Sequence, residues 1–269
     1  MESRAAEELP QADARELVDA ERLEAAVKDM YRAVAHEEEA ELHFEVGRPL
    51  AERLGYSASV LDRVPEAAVA SFAGVGHHLD LARLRPGERV LDLGSGSGTD
   101  VFSAAVLVGE EGRVVGVDFT DEQLAKARRL RDEHGFPQVE FEQARIEALP
   151  FDDSSFDAVI SNGVINLSLV KNVVFEEAAR VLRPGGRLAV ADIVSARALK
   201  ERTRRNVDLW AACVGGAIPR DSYIAAIEAS GLRVREVRTN DYEFVSDRAL
   251  EACATYGVES VSLVADKPS

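Results

Sequence analysis

Short apolar runs alternate along most of the chain with stretches of helical period. Val90, Leu91 and Leu93 form a compact apolar run just before a glycine cluster, the pattern of a strand buried on both faces. Residues 113–118 (Arg-Val-Val-Gly-Val-Asp), Val139-Glu-Phe141, Ala158-Val-Ile160 and residues 188–194 (Leu-Ala-Val-Ala-Asp-Ile-Val) repeat that pattern. Between these runs, residues 101–108, 121–134 and 173–182 read as helices. Thr120 is placed to N-cap the second of them, and Gly135-Phe-Pro137 and Pro184-Gly-Gly186 are placed to stop the second and third. The alternation predicts an α/β fold with a doubly wound, mostly parallel sheet and helices on both faces. The C-terminal part departs from it. Val234-Arg-Glu-Val237 and residues 258–265 read as two more strands, separated by a long loop or helix, which brings the sheet to seven strands.

Upstream of the first strand the period is helical throughout. Leu17, Leu23, Val27, Tyr31 and Val34 lie on one face of an amphipathic helix over residues 12–35. A second helix is expected over residues 65–72, with Pro65 in its first turn, ending at Gly74-Val-Gly-His-His78. Residues 1–10 are polar and expected to fray, and Glu37-Glu-Glu39 reads as a solvated surface. The chain therefore divides into an N-terminal helical cap, residues 1–85, and a sheet domain, residues 86–269. A ligand at strand tips needs a cover to exclude water, and the cap is the segment free to supply it.

Composition narrows the partners. With 48 acidic against 32 basic residues the formal charge is −16, which repels phosphate backbones and argues against nucleic acid. No apolar run approaches the ~20 residues that cross a bilayer, so no membrane partner is expected. The N-terminus has neither the basic start nor the apolar centre of a signal peptide. The two cysteines, Cys213 and Cys253, make no disulfide framework, and together these features lead us to expect a cytoplasmic protein.

The chemistry gathers at Leu91-Asp-Leu-Gly-Ser-Gly-Ser-Gly98. A glycine turn between a parallel strand and a helix lets a ligand approach the backbone, and Asp92 stands at the carboxyl end of the strand, where open α/β sheets bind ligands. A dinucleotide fingerprint would need glycine at position 99, where this chain has Thr99, so nicotinamide chemistry is disfavoured. Asp118 ends the next strand, where a carboxylate can accept from the two hydroxyls of a ribose.

These residues resemble the first motif of the class I S-adenosylmethionine-dependent methyltransferases. Leu149-Pro-Phe-Asp-Asp-Ser-Ser-Phe-Asp157 and Arg180-Val-Leu-Arg-Pro-Gly-Gly186 resemble later motifs of that superfamily. Residues 115–123 (Val-Gly-Val-Asp-Phe-Thr-Asp-Glu-Gln), Ile146-Glu147, Ser161-Asn-Gly-Val-Ile-Asn-Leu167 and Cys213-Val-Gly-Gly-Ala217 are similar to hallmarks of the arsenite methyltransferase subgroup. The likeness covers about residues 65–220. It implies the Rossmann-like methyltransferase fold, with the last two strands paired at one edge and one of them antiparallel, and S-adenosyl-L-methionine as cofactor.

On that basis Asp92 and the backbone of Gly94, Ser95, Gly96 and Gly98 are expected at the amino-acid end of the cofactor. Asp118 is expected at its ribose, Phe119 and Thr120 beside the purine, Ile146 packed on it with Arg145 or Glu147 at its edge, and Gln123 among the cofactor-binding residues. Glu147 is either a contact to the purine edge or a surface charge. Asn162 and Asn166 follow the fourth strand, across from the reactive methyl. Either they cap local backbone or they touch substrate and cofactor. His43 and His77 are candidate general bases, each with a structural role as the alternative. The adjacent pair His77-His78 defines no metal site.

Arsenite methyltransferases carry a cysteine where this chain has Gly163, and they use several thiolates to hold arsenic. Of those positions only Cys213 is matched here. The expected reaction is therefore methyl transfer to oxygen, nitrogen or carbon of a small organic acceptor. Arsenite is the alternative acceptor, and a non-catalytic nucleotide-binding module is a further alternative. The partners expected are a small-molecule substrate and, at most, a second copy of the chain in a homodimer.

Overall fold

A computed structural model describes residues 13–36, 44–211 and 213–269. The N-terminal tail, the Glu37-Glu-Glu39 run and His43 lie outside them. Seven strands form one sheet: β1 (Arg89–Leu93), β2 (Arg113–Asp118), β3 (Val139–Gln143), β4 (Phe156–Asn162), β5 (Leu182–Ser195), β6 (Arg233–Thr239) and β7 (Val258–Asp266). Their spatial order is β3-β2-β1-β4-β5-β7-β6. The first five are parallel, and β7 runs antiparallel between β5 and β6. Strand order reverses between β1 and β4, which opens a crevice at their carboxyl ends.

Both faces of the sheet are covered, because successive side chains alternate between them. Val90, Val114, Val139, Ala158 and Ile160 pack on one side with α6 (Thr99–Val108) and α7 (Asp121–His134). Leu91, Leu93, Val117, Val159 and Val190 pack on the other with α8 (Lys171–Val181) and α11 (Arg220–Ala229). Central side chains such as Leu91 and Ile160 are fully buried, worth ~1.5–3 kcal/mol each relative to exposure.

Several boundaries differ from the sequence reading, for identifiable reasons. The amphipathic helix is α1 (Ala20–His36), which starts later than residue 12. Asp19 accepts from Arg22 N, and before it Ala14 N donates to Leu169 O, pinning residues 13–14 to the sheet domain instead of to a helix. The second helix is the short α4 (Glu66–Ala70), with Pro65 as its N-cap. Alongside it run α2 (Arg48–Arg53), α3 (Ala58–Leu61) and α5 (Leu79–Ala82). α8 starts two residues earlier than read and ends at Val181, with Leu182 as C-cap just ahead of Pro184; Lys267 Nζ donates to the carbonyls of Ala179 and Leu182, and β5 begins at Leu182. Thr120 stands at the N-cap of α7, but its hydroxyl makes no cap; it bonds Asp118 instead. The segment after β5 holds α9 (Glu201–Arg204) and α10 (Val207–Ala211), and α12 (Asp247–Tyr256) separates β6 from β7.

The helices before β1 do not form a separate layer. Leu50, Tyr56, Leu61, Ala68 and Leu79 belong to the same apolar cluster as Val90 and Ile160. Only α1 stands apart from that core. Its Leu23 and Val27 pack with Trp210 over the crevice, and its Arg32 bonds Glu122 of α7 at 2.8 Å. Among the described residues no helix is long and apolar enough to cross a membrane.

Candidate functional site

A cleft of about 360 Å³ opens at the carboxyl ends of β1, β2 and β4, within the usual range for small-molecule sites. The glycine loop forms its floor. Gly94, Gly96 and Gly98 all have positive φ, the backbone region that side chains avoid. A Cβ on Gly94 would lie 2.3 Å from Val164, so the loop after β4 can close down on the turn only because glycine stands there. Gly98 does not line the cleft. It begins α6, and a Cβ there would strike Phe102 and Phe141, so its role is packing.

Four loop amides are engaged inside the protein. Gly94 N and Ser95 N donate to Val117 O, Gly98 N donates to Ser95 O, and Gly96 N donates to Asp118 at 2.9 Å. What these four residues offer a ligand is therefore close approach and their carbonyls rather than these donors.

Three buried carboxylates face the cleft, namely Asp92, Asp100 and Asp118. Burial raises Asp92 well above the usual carboxylate range, and the charges of Asp100 and Asp118 push the same way. Burial also raises Asp118, against the opposing donors Thr120 and Gly96. Asp100 is raised by burial and steadied by hydrogen bonds from Tyr56 and Asn162. A cationic ligand group at this end would relieve the repulsion among them.

The other expected residues divide clearly. Ser95, Phe119, Gln123, Arg145, Ile146 and Glu147 line the cleft with the three carboxylates. Gln123 accepts from Ser97 and donates to Tyr31 O, joining the glycine loop to α1. Arg145 reaches Glu24 of α1 at 2.7 Å across the mouth, and Glu147 accepts from Ser168 at 2.7 Å. Glu147 Oε1 is thus held by Ser168, while Oε2 lies 3.9 Å from Arg145 at the cleft.

Asn162 lines the cleft, but its amide holds protein. Oδ1 accepts from Val75 N at 2.8 Å, and Nδ2 donates toward Tyr56, Gly76 O and Asp100. Asn166 is corrected as a substrate-contacting candidate. It is fully buried beneath the loop and bonded to Asp192 and the Cys213 carbonyl. His77 also lies off the cleft. Its ring rests against Tyr56 with centroids 4.4 Å apart, and burial lowers its pKa. His78 is fully buried, and burial depresses it to about 3, so it stays neutral. Among the described residues no cluster could hold a metal ion.

Cys213 sits behind the cleft wall. Its thiol lies 3.8 Å from Gly163 O and bonds the Tyr31 hydroxyl, and burial pushes it up to about 12. Sequence reasoning missed Asp100 and Lys171. An acidic residue in a helix's first turn looks like ordinary dipole compensation, and nothing local marks a lysine as buried.

The residues fit the cofactor that the resemblance implies. A buried carboxylate stands at the end of β2, the apolar Ile146 and Phe119 flank the space beyond it, and Ser95 Oγ is buried at the cleft without a partner among the described residues.

Comparison with known proteins agrees with this geometry. Residues 84–246 match the family described as methyltransferase domain. An arsenite methyltransferase of Halobacterium salinarum is 39% identical over 220 residues, 81% of this chain and 56% of the relative. A ubiquinone/menaquinone biosynthesis C-methyltransferase of Shewanella frigidimarina is 32% identical over 181 residues, 65% of this chain and 71% of the relative. Among solved structures, CrArsM of Chlamydomonas reinhardtii, an arsenic(III) S-adenosylmethionine methyltransferase, aligns at 32% identity with a TM-score of 0.63, covering 84% of this chain and 75% of its own. The chain spans about half the length of the curated arsenite methyltransferases it matches. With the seven-stranded order, the glycine loop and the paired Asp92 and Asp118 already in place, the chain belongs to the S-adenosylmethionine-dependent methyltransferases.

Proposed function

We propose that this chain transfers the cofactor's methyl group to oxygen, nitrogen or carbon of a small organic acceptor. The observation that carries this reading is the state of Cys213. It is the sole cysteine matched to the thiolate positions of arsenite enzymes, and it is buried, bonded to Tyr31 and held protonated at neutral pH. A protonated thiol is a poor ligand for a soft metalloid, since the thiolate is the binding form. In its place, the cleft offers the apolar and aromatic wall of Leu23, Val27, Tyr31, Val164 and Leu167.

S-adenosylmethionine, when bound, supplies an electrophilic methyl on a sulfonium. The chain's part is to position and to exclude water, which can contribute up to ~7–11 kcal/mol to such a transfer. Asp118 accepts from the ribose, Asp92 and Asp100 face the ammonium of the amino-acid end, and Phe119 and Ile146 enclose the purine. α1 roofs the cleft through the Glu24–Arg145 and Arg32–Glu122 pairs. In this reading α1 is the cover supplied by the segment before residue 86, and residues 86–269 bind the cofactor.

Arsenite remains the second reading, favoured by the names of the relatives that share most of this chain. A screen with labelled S-adenosylmethionine separates the two, using arsenite plus thiols against a panel of phenols, quinones and amines. Label is expected in an organic product. Robust arsenite methylation, abolished by Cys213→Ser, would reverse the order.

A further inference from the structure

Lys171 is a charged residue that the methyl-transfer scheme does not use, yet it is fully buried at the start of α8. Its ammonium donates to Asn166 O and Ser168 O, each at 2.9 Å, and stands 4.9 Å from the centre of the Trp210 ring. Asn166 is gripped from its other side as well. Its N–H donates to Asp192 at 2.8 Å, and its side chain bonds the Cys213 carbonyl. Asp192 in turn accepts from Tyr223 at 2.8 Å. The Asn166 peptide is thus fixed at its N–H, its carbonyl and its side chain. It lies in the 3-10 turn Ile165–Leu167, between Val164 and Ser168, which both line the cleft.

We propose that Lys171 is a positioning residue: its ammonium holds the Asn166 peptide, and through it the wall of residues 164–168, in the shape that receives the methyl acceptor. A methionine of similar length would fill the same space without the cost of burying a charge. What it would not do is supply the donors that two inward-facing carbonyls need. Trp210, whose ring receives the ammonium, belongs to the apolar cluster of Leu23 and Val27 of α1, so this ring joins the wall to the roof of the cleft.

The environment makes this charge titratable. Burial draws the Lys171 amine down to about 7, with Asp192 opposing. The groups that face it are Asp192 of β5, Glu147 after β3, Arg204 of α9 and Cys213 after α10. Between its folded and unfolded values the unfolded chain binds more protons, so this group favours the folded state as pH rises. Opening of the wall, which solvates the amine, should therefore become harder as pH rises through that range.

The purpose of the wall rests on the methyl-transfer reading, but the measurement needs no acceptor, so the two can fail separately. Hydrogen exchange of residues 163–170 is followed from pH 6 to 9 in the wild type, Lys171→Met and Lys171→Arg, corrected for intrinsic rates. S-adenosylhomocysteine affinity is measured alongside by calorimetry. In the wild type, protection of this segment should rise about tenfold or more between pH 6 and 9, because opening the wall solvates Lys171 and restores its ordinary, higher pKa. Lys171→Met should show low protection that does not change with pH, and Lys171→Arg, which stays charged throughout, should likewise show protection that does not change with pH. Affinity for S-adenosylhomocysteine at pH 6 should change less than about threefold in either variant, its ligands lying on other loops. PH-independent protection in the wild type would overturn the proposal even if neither variant folds. So would the same pH-dependent rise persisting in Lys171→Met.

Discussion

Replacing Asn162 by alanine should cost stability before it costs chemistry. The Asn162 side chain binds Val75 N at 2.8 Å, Gly76 O at 3.0 Å, and Tyr56 and Asp100 at 3.1 Å each. Two N–H groups are shared among three acceptors, so the net count is about three hydrogen bonds. Truncation leaves Val75 N and Gly76 O without this partner and takes a donor from a buried carboxylate. With each orphaned group costing ~1–3 kcal/mol and some solvent reaching the half-buried site, the loss should total about 2–5 kcal/mol. At ~2–4 °C per kcal/mol, thermal unfolding should fall by about 4–20 °C. Asn162→Asp keeps the acceptor for Val75 but sets a second carboxylate against Asp100. The added carboxylate should have a raised pKa in the folded state, so this variant should lose further stability as pH rises through its ordinary range, where the unfolded chain ionises first. Calorimetric or circular-dichroism melts at pH 5 and pH 8 check both. Melting of Asn162→Ala within about 2 °C of the wild type, together with abolished methyl transfer, would refute the reasoning and return Asn162 to the reacting atoms.

Other outcomes follow from the same geometry. Asp118→Ala should weaken S-adenosylhomocysteine binding about 10- to 150-fold by calorimetry, since hydrogen bonds to a charged acceptor are worth ~1.5–3 kcal/mol; affinity within about twofold of the wild type would place the ribose elsewhere. Cys213→Ser should leave transfer to an organic acceptor within about threefold, because the thiol lies behind the cleft lining and a protonated thiol is no nucleophile. Deleting residues 1–43 should leave the sheet folded by far-UV circular dichroism while methyl transfer drops at least about tenfold, as water enters the uncovered cleft; full turnover in that truncation would show that α1 is only a tether.

The boundary of that last deletion shows what the chain order could not reveal. A cap ending at residue 85 is a reasonable division from sequence, because helical period precedes the first strand throughout. In space Leu50, Tyr56 and Leu61 belong to the apolar cluster of the sheet. Deleting as far as residue 60 would therefore open the core rather than merely uncover the cleft.

What the sequence determined by itself was everything carried by local pattern. The short continuous apolar runs specify strands buried on both faces, so β1, β2 and β4 could be located to within a few residues. The spacing of Gly94, Gly96 and Gly98, with Asp92 before and Asp118 after, specified the ligand turn, because backbone conformation and strand end are local properties. Tertiary structure alone decided which polar groups are spent. Asn162 meets Tyr56 and Gly76 across 106 and 86 residues of sequence, and the Asn166 side chain meets Cys213 across 47. A hydrogen-bonding side chain has the same composition whether it faces a ligand or a distant backbone, and only the fold chooses its partner. The same holds for Lys171. A lysine at the first position of a helix reads as solvated, until the packing of Trp210 and two inward carbonyls turn it into a buried clamp.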